Sequence, residues 1–176
     1  LGGKKIYKDF YLCFGRLVPY KRADLAVAAF LQSGKRLIVA GDGPHMSMLK
    51  KMVGGAKNIE LLEGVDDNKK KILLQNCRAL VFPGEEDFGI VPVEAMMYGK
   101  PVVAYGRGGA RETVIEGKSG VLFYEQDTKS LNEAIDRLEG KVWNEKKIMQ
   151  WAENFDQDRF VAAIKDYINT CLENNK

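Results

Sequence analysis

Two acidic and two basic side chains, carried on two separate stretches, are the residues in this sequence best suited to chemistry. In VFPGEEDFGIVPVEA, Glu86 and Glu94 stand eight positions apart. The first lies on an acidic loop behind a strand-like run ending at Phe82, the second in the opening turns of a helix expected from Pro92. A carboxylate accepts two hydrogen bonds at once, which suits the vicinal hydroxyls of a ribose or a hexose. Pro92 fits the first helical position, having no amide hydrogen to lose there, and the amides of Gly89, Ile90 and Val91 are left free where phosphate oxygens are welcome. In CFGRLVPYKRADL, Arg16 closes one strand and Lys21 opens the next helix. They supply a planar fork and a compact charge for a pyrophosphate. Taken alone, the acidic loop reads as solvated surface and Glu94 as a residue favouring a helix N-terminus. The companion basic loop shifts the reading to a sugar joined to a nucleoside diphosphate.

These side chains need a scaffold that brings both loops to one edge, and the rest of the sequence describes one. YLCFG, KRLIVAG, NIELLEG, RALVFPG, PVVAYG and GVLFY are short, apolar and mostly closed by glycine. Helical patterns lie between them, at residues 20–32, 44–52 and 66–76, the last with Asp66 and Asp67 as its start. Continuously apolar strands joined by helices predict a parallel sheet covered on both faces, a doubly wound α/β domain. In such sheets ligands bind beyond the carboxyl ends of the strands. The exits to search are residues 15–21, 41–45, 64–67, 83–92 and 106–111. After Glu125 the pattern is helical throughout, at residues 128–138, 144–153 and 156–172. No repeat or linker divides the chain, so residues 1–176 read as one domain.

Composition narrows the alternatives. With 27 basic and 24 acidic residues the net charge is only +3, which gives no reason to invoke nucleic acid. No apolar run approaches the roughly 20 residues of a membrane span. Three scattered cysteines and a single histidine support neither a disulfide frame nor a zinc site, and imply buried thiols in a reducing cytoplasm. Gly41-Asp-Gly43 follows the second strand and has Met46 at the third glycine position, which argues against a nicotinamide dehydrogenase, and no GxxxxGK[ST] is present. His45 reads as a capping residue, and Trp143, Trp151, Phe155 and Tyr167 as packing.

Residues 15–133 resemble the donor-binding domain of glycosyltransferase family 4, of the two-domain GT-B fold. FGRLVPYK resembles that family's phosphate loop, GDGP its second-strand exit, Glu86 to Glu94 its E-x7-E signature and GKPVVAYGRGGARETVIEGKSG its closing segment. Asp87 stands where a glycine is common. The resemblance implies that Arg16 and Lys21 hold the diphosphate and stabilise its departing charge, that Glu94 binds the ribose and that Glu86 contacts the donor sugar. Arg16, Lys21 and Glu86 are thus its catalytic candidates. Gly15, Phe88, Gly89, Ile90 and Val91 border sugar and phosphates, Gly64 and Val65 the base, and Gly41 and Gly43 allow close passage. It further implies a retaining transfer of a hexose, foremost mannose from GDP-mannose, to a glycan or lipid-linked acceptor bound by an N-terminal half outside this sequence. No metal or other cofactor is implied. A fragment of this kind is expected to be inactive alone, in a cytoplasmic enzyme that can associate peripherally with the inner face of a membrane. The alternative is a non-catalytic nucleotide-sugar-binding module.

Overall fold

The structure, a computed structural model, describes residues 9–173. All six anticipated strands form: β1 (Tyr11–Phe14), β2 (Leu37–Ala40), β3 (Ile59–Leu62), β4 (Ala79–Phe82), β5 (Val102–Tyr105) and β6 (Gly120–Phe123). They make one sheet in the order β3-β2-β1-β4-β5-β6, every pairing parallel. Parallel strands are buried on both faces, and alternate residues divide between two apolar clusters as the pleat requires. Tyr11, Cys13, Val39, Val81 and Val103 pack on one side with α1 (Ala23–Ser33), α2 (Met46–Val53) and α6 (Thr128–Glu139). Leu12, Ile38, Leu80, Val102 and Ala104 pack on the other with α3 (Asp67–Asn76), α4 (Ile90–Met97) and α7 (Glu145–Ala152). The remaining helices are a short α5 (Ala110–Thr113) and a terminal α8 (Gln157–Glu173).

Helix starts follow side-chain caps. Asp66, Asp127 and Asn144 each accept a hydrogen bond from the amide three residues on, which begins α3, α6 and α7. Three starts differ from expectation, α2 beginning at Met46 and not at Pro44. The helix foreseen over residues 20–32 is interrupted: Pro19–Lys21 forms a 3-10 turn and Arg22 adopts left-handed backbone (φ 52°), so α1 begins at Ala23. Pro19, with its fixed φ, closes a tight turn that the α1 ladder cannot absorb. Helix α4 begins at Ile90, with left-handed Gly89 (φ 80°) before it, so Pro92 is its third residue and not its first. That placement is equally tolerated, because the first four amides of a helix have no partner within it.

Candidate functional site

Strand order reverses between β1 and β4, so the exits of these two strands diverge and leave a crevice at the sheet's carboxyl edge. The β1 exit is stitched to the β2 exit, with Gly15 N donating to Ala40 O at 3.1 Å and Leu17 N to Asp42 O at 2.8 Å. A Cβ on Gly41 would stand 1.9 Å from Gly15 O, so only glycine permits the approach. On the other side of the crevice, the loop carrying Glu86 is propped from behind by the β5 exit, where Gly109 N donates to Glu86 O at 2.8 Å.

Lys21, Glu86, Phe88, Gly89, Ile90, Val91 and Glu94 are brought into one depression of about 660 Å³. Lys21 Nζ lies 2.7 Å from Glu86 Oε1, with both side chains about four-fifths buried. The contact is a close ion pair. Glu94 is held through Oε1 by Lys70 Nζ at 2.5 Å, while its Oε2 is buried without a partner. The uncapped amide end of α4 completes the wall.

Gly15, Arg16, Gly41, Gly43 and Val65 line a second, shallower depression of about 500 Å³. Arg16 is exposed there and does not share the hollow of Lys21. Gly64 lies just beside it, its amide donating to Asp42 Oδ1 at 3.0 Å. Phe14 and Gly15 of the second depression lie next to Lys70 and Lys21 of the first. Lys70 Nζ sits 5.4 Å from the Phe14 ring centroid, and a Cβ on Gly15 would stand 3.6 Å from Lys21 Nζ. The arrangement offers cations and amides for anionic oxygens beside carboxylate acceptors for hydroxyls.

Two contributors were not foreseen. Lys70 lies in a run of three lysines, and only its place three and four residues before the buried Leu73 and Leu74 marks it as the one on the sheet side of α3. Tyr20 lines the Lys21 depression with 59% of its surface exposed, and no spacing signalled it. His45 does stand immediately before α2 as expected, but its side chain makes no cap. Trp143, Trp151 and Phe155 pack against the core. Tyr167 does not: it is 72% exposed on α8, which buries no residue. Burial pushes the thiols of Cys13 and Cys77 up to about 12, so neither offers a thiolate near neutral pH.

Comparison with known proteins identifies the family. The chain is 36% identical over 167 residues to the alpha-1,3/1,6-mannosyltransferase of Dictyostelium discoideum, covering 80% of this chain and 40% of that protein. It is 30% identical over 145 residues to the GDP-mannose-dependent alpha-(1-6)-phosphatidylinositol monomannoside mannosyltransferase of Mycolicibacterium smegmatis, covering 72% of this chain and 37% of that protein. The chain thus spans about two fifths of the length of these relatives. Among solved structures, Anabaena HepE in complex with UDP and glucose superposes with a TM-score of 0.73 at 26% identity, over 97% of this chain and 49% of that one. The lipopolysaccharide outer core galactosyltransferase WaaB shares the fold, with a TM-score of 0.82 at 18% identity over 96% of this chain and 51% of that one. The family profile described as glycosyl transferases group 1 matches residues 3–158, a span that includes both exit loops and the Glu86 to Glu94 segment. On that match the chain belongs to the group 1 glycosyl transferases, and its α/β fold is one found in GT-B enzymes.

Proposed function

We propose that this chain is the donor-binding part of a retaining glycosyltransferase that moves mannose from GDP-mannose to a glycan or lipid-linked acceptor. The observation that best supports the reading is Glu94 Oε2, buried without a hydrogen-bond donor in one hollow with the Lys21–Glu86 ion pair and the uncapped amide end of α4. A buried acceptor left unsatisfied costs about 1–3 kcal/mol, which the hydroxyls of a bound sugar nucleotide would remove. GDP-mannose is favoured because the Mycolicibacterium relative is named for that donor.

In this reading an extended donor lies across both depressions. Glu94 accepts from the ribose diol and Glu86 from the hydroxyls of the mannose. Arg16 and Lys21 hold the diphosphate, and main chain near Gly64 and Val65 borders the base. Transfer breaks the bond between the anomeric carbon and the phosphate oxygen, and its electron pair leaves with GDP. The acceptor hydroxyl attacks the oxocarbenium-like carbon from the departing face and gives its proton to the leaving phosphate. Lys21, Arg16 and the amides stabilise the charge that grows on GDP, an electrostatic contribution fixed in place before reaction. No metal is assigned a part in this scheme. The acceptor is bound by a region outside this sequence, in an enzyme placed in the cytoplasm, at the inner face of a membrane when its acceptor is lipid-linked.

Titration calorimetry with GDP and GDP-mannose tests the reading. Lys21→Ala is expected to weaken binding by about tenfold or more, and Arg16→Ala by less, since it is exposed; both losses shrink as salt rises. Unchanged affinity in both variants would remove them from the site.

A further inference from the structure

Lys21 can serve a diphosphate only if its backbone is fixed against the loop that carries Glu86, and a side chain outside both depressions joins the two. Gln126, on the loop after β6, donates through Nε2 to Pro83 O at 2.9 Å, at the exit of β4. Its Oε1 accepts from Arg22 Nη1 at 3.2 Å, immediately beyond Lys21. The Arg22 guanidinium is held in turn by Asp24, with Nε 3.3 Å from both carboxylate oxygens. Among the described residues Arg22 is the one non-glycine with left-handed backbone, a conformation that persists only where surrounding contacts impose it. At the same seam Gly84 lies against the turn. A Cβ there would stand 2.7 Å from Lys21 Cα and 2.8 Å from Tyr20 O.

We propose that Arg22 and Gln126 form a strap across the β1 and β4 exits, acting as positioning residues that set Lys21 opposite Glu86 for the donor's diphosphate. The amide of Gln126 is well suited to this task, because one planar group offers a donor to the Pro83 carbonyl and an acceptor to the Arg22 guanidinium. Neither residue lines the depressions, and neither touches the ligand in this scheme. The inference rests on the donor-binding reading above.

The test is a double-mutant cycle read by calorimetry with GDP, with Tm recorded alongside. Gln126→Ala is expected to weaken GDP binding about fivefold to tenfold at nearly unchanged Tm, the scale on which a misplaced binding group loses affinity. Gln126→Glu keeps the partner of Arg22 but cannot donate to Pro83 O, and should lose a similar factor. Arg22→Gly preserves left-handed backbone without the guanidinium, so it should match Gln126→Ala, and combining the two should add nothing. In Lys21→Ala the further change Gln126→Ala should cost no additional affinity. Full additivity with Lys21→Ala, wild-type affinity in Gln126→Ala and Gln126→Glu, or a Tm that falls in step with affinity would each overturn the strap. If Lys21→Ala itself leaves GDP binding intact, the donor reading fails as well, which separates the two failures.

Discussion

Two clusters of charge sit at opposite ends of the same sheet, built from nearly the same residue types. At the carboxyl edge Lys21 and Lys70 stand against Glu86 and Glu94, and Glu94 Oε2 is buried without a partner. At the amino edge Glu139 is satisfied on both oxygens. Oε1 accepts from Tyr11 OH at 2.7 Å and lies 3.3 Å from Arg78 Nη1, and Oε2 lies 3.0 Å from Lys35 Nζ. Lys35 is shared with Asp136 at 2.6 Å. The second cluster ties the end of α6 to the starts of β1, β2 and β4 and asks for nothing more. The first is incomplete as it stands. Ion pairs alone therefore do not distinguish a site from a brace; a buried carboxylate oxygen without a donor, set in a hollow beside cations and free amides, is what separates these two.

Exchanging charge for neutral amide at each end should sharpen that contrast. The largest expected effect is at the carboxyl edge, where Glu94→Gln should weaken GDP binding by about tenfold, on the scale of one charge-assisted hydrogen bond. Glu86→Gln should instead spare GDP and lower transfer in an enzyme that includes the acceptor-binding region. Calorimetry and turnover of GDP-mannose measure the two, and equal, negligible effects would reject both roles. Next in size, Glu139→Gln should leave GDP affinity unchanged while lowering unfolding free energy by about 1–2 kcal/mol, as loss of one member of a partly buried network does. Denaturant melts of the variant would show it.

The smallest effect is in the pH dependence of those melts. Burial alone would raise the Glu139 carboxyl, but hydrogen bonds from Tyr11 and Lys35 prevail and hold it below the ordinary glutamate range. A depressed carboxylate contributes stability that is present above the unfolded-state pKa and is lost as the pH falls through the folded one. The wild type should accordingly lose more stability than Glu139→Gln on acidification from neutral through and below the ordinary glutamate range, by less than about 1 kcal/mol for a group still partly open to solvent. Parallel acid limbs in the two proteins would remove Glu139 as the brace. Lys35 is shifted the opposite way: burial opposes its charge, but its bonds to Asp136 and Glu139 win and raise it, so its contribution fades only as the pH rises through its folded pKa.

The strands and the two loops were readable because their signals are local. Apolar runs such as LIVA and LVF end abruptly at glycine or Pro-Gly, and the β4 exit is acidic where the β1 exit is basic. What escaped depends on geometry at a distance. The break at Arg22 answers to the turn at Pro19 and to a partner 104 residues away, which no helical period contains. Lys70 is separated from Lys69 and Lys71 only by the rotation of α3, and that is set by how Leu73 and Leu74 bury. Tyr167 was placed in the core because its spacing suits a packed helix. Helix α8 has that spacing, but its apolar residues remain exposed.

The position of β1 carries a consequence for assembly of the molecule. Its Tyr11 pairs with Leu37 on one side and Ala79 on the other, so this strand keeps one edge open until β4, more than sixty residues later, is in place. During synthesis the segment through β3 emerges with one edge of β1 still open, and the hollow that takes a nucleotide comes into being only when β4 closes it. A ligand seated there would bridge early and late parts of the polypeptide, and would slow their separation as directly as it occupies the site.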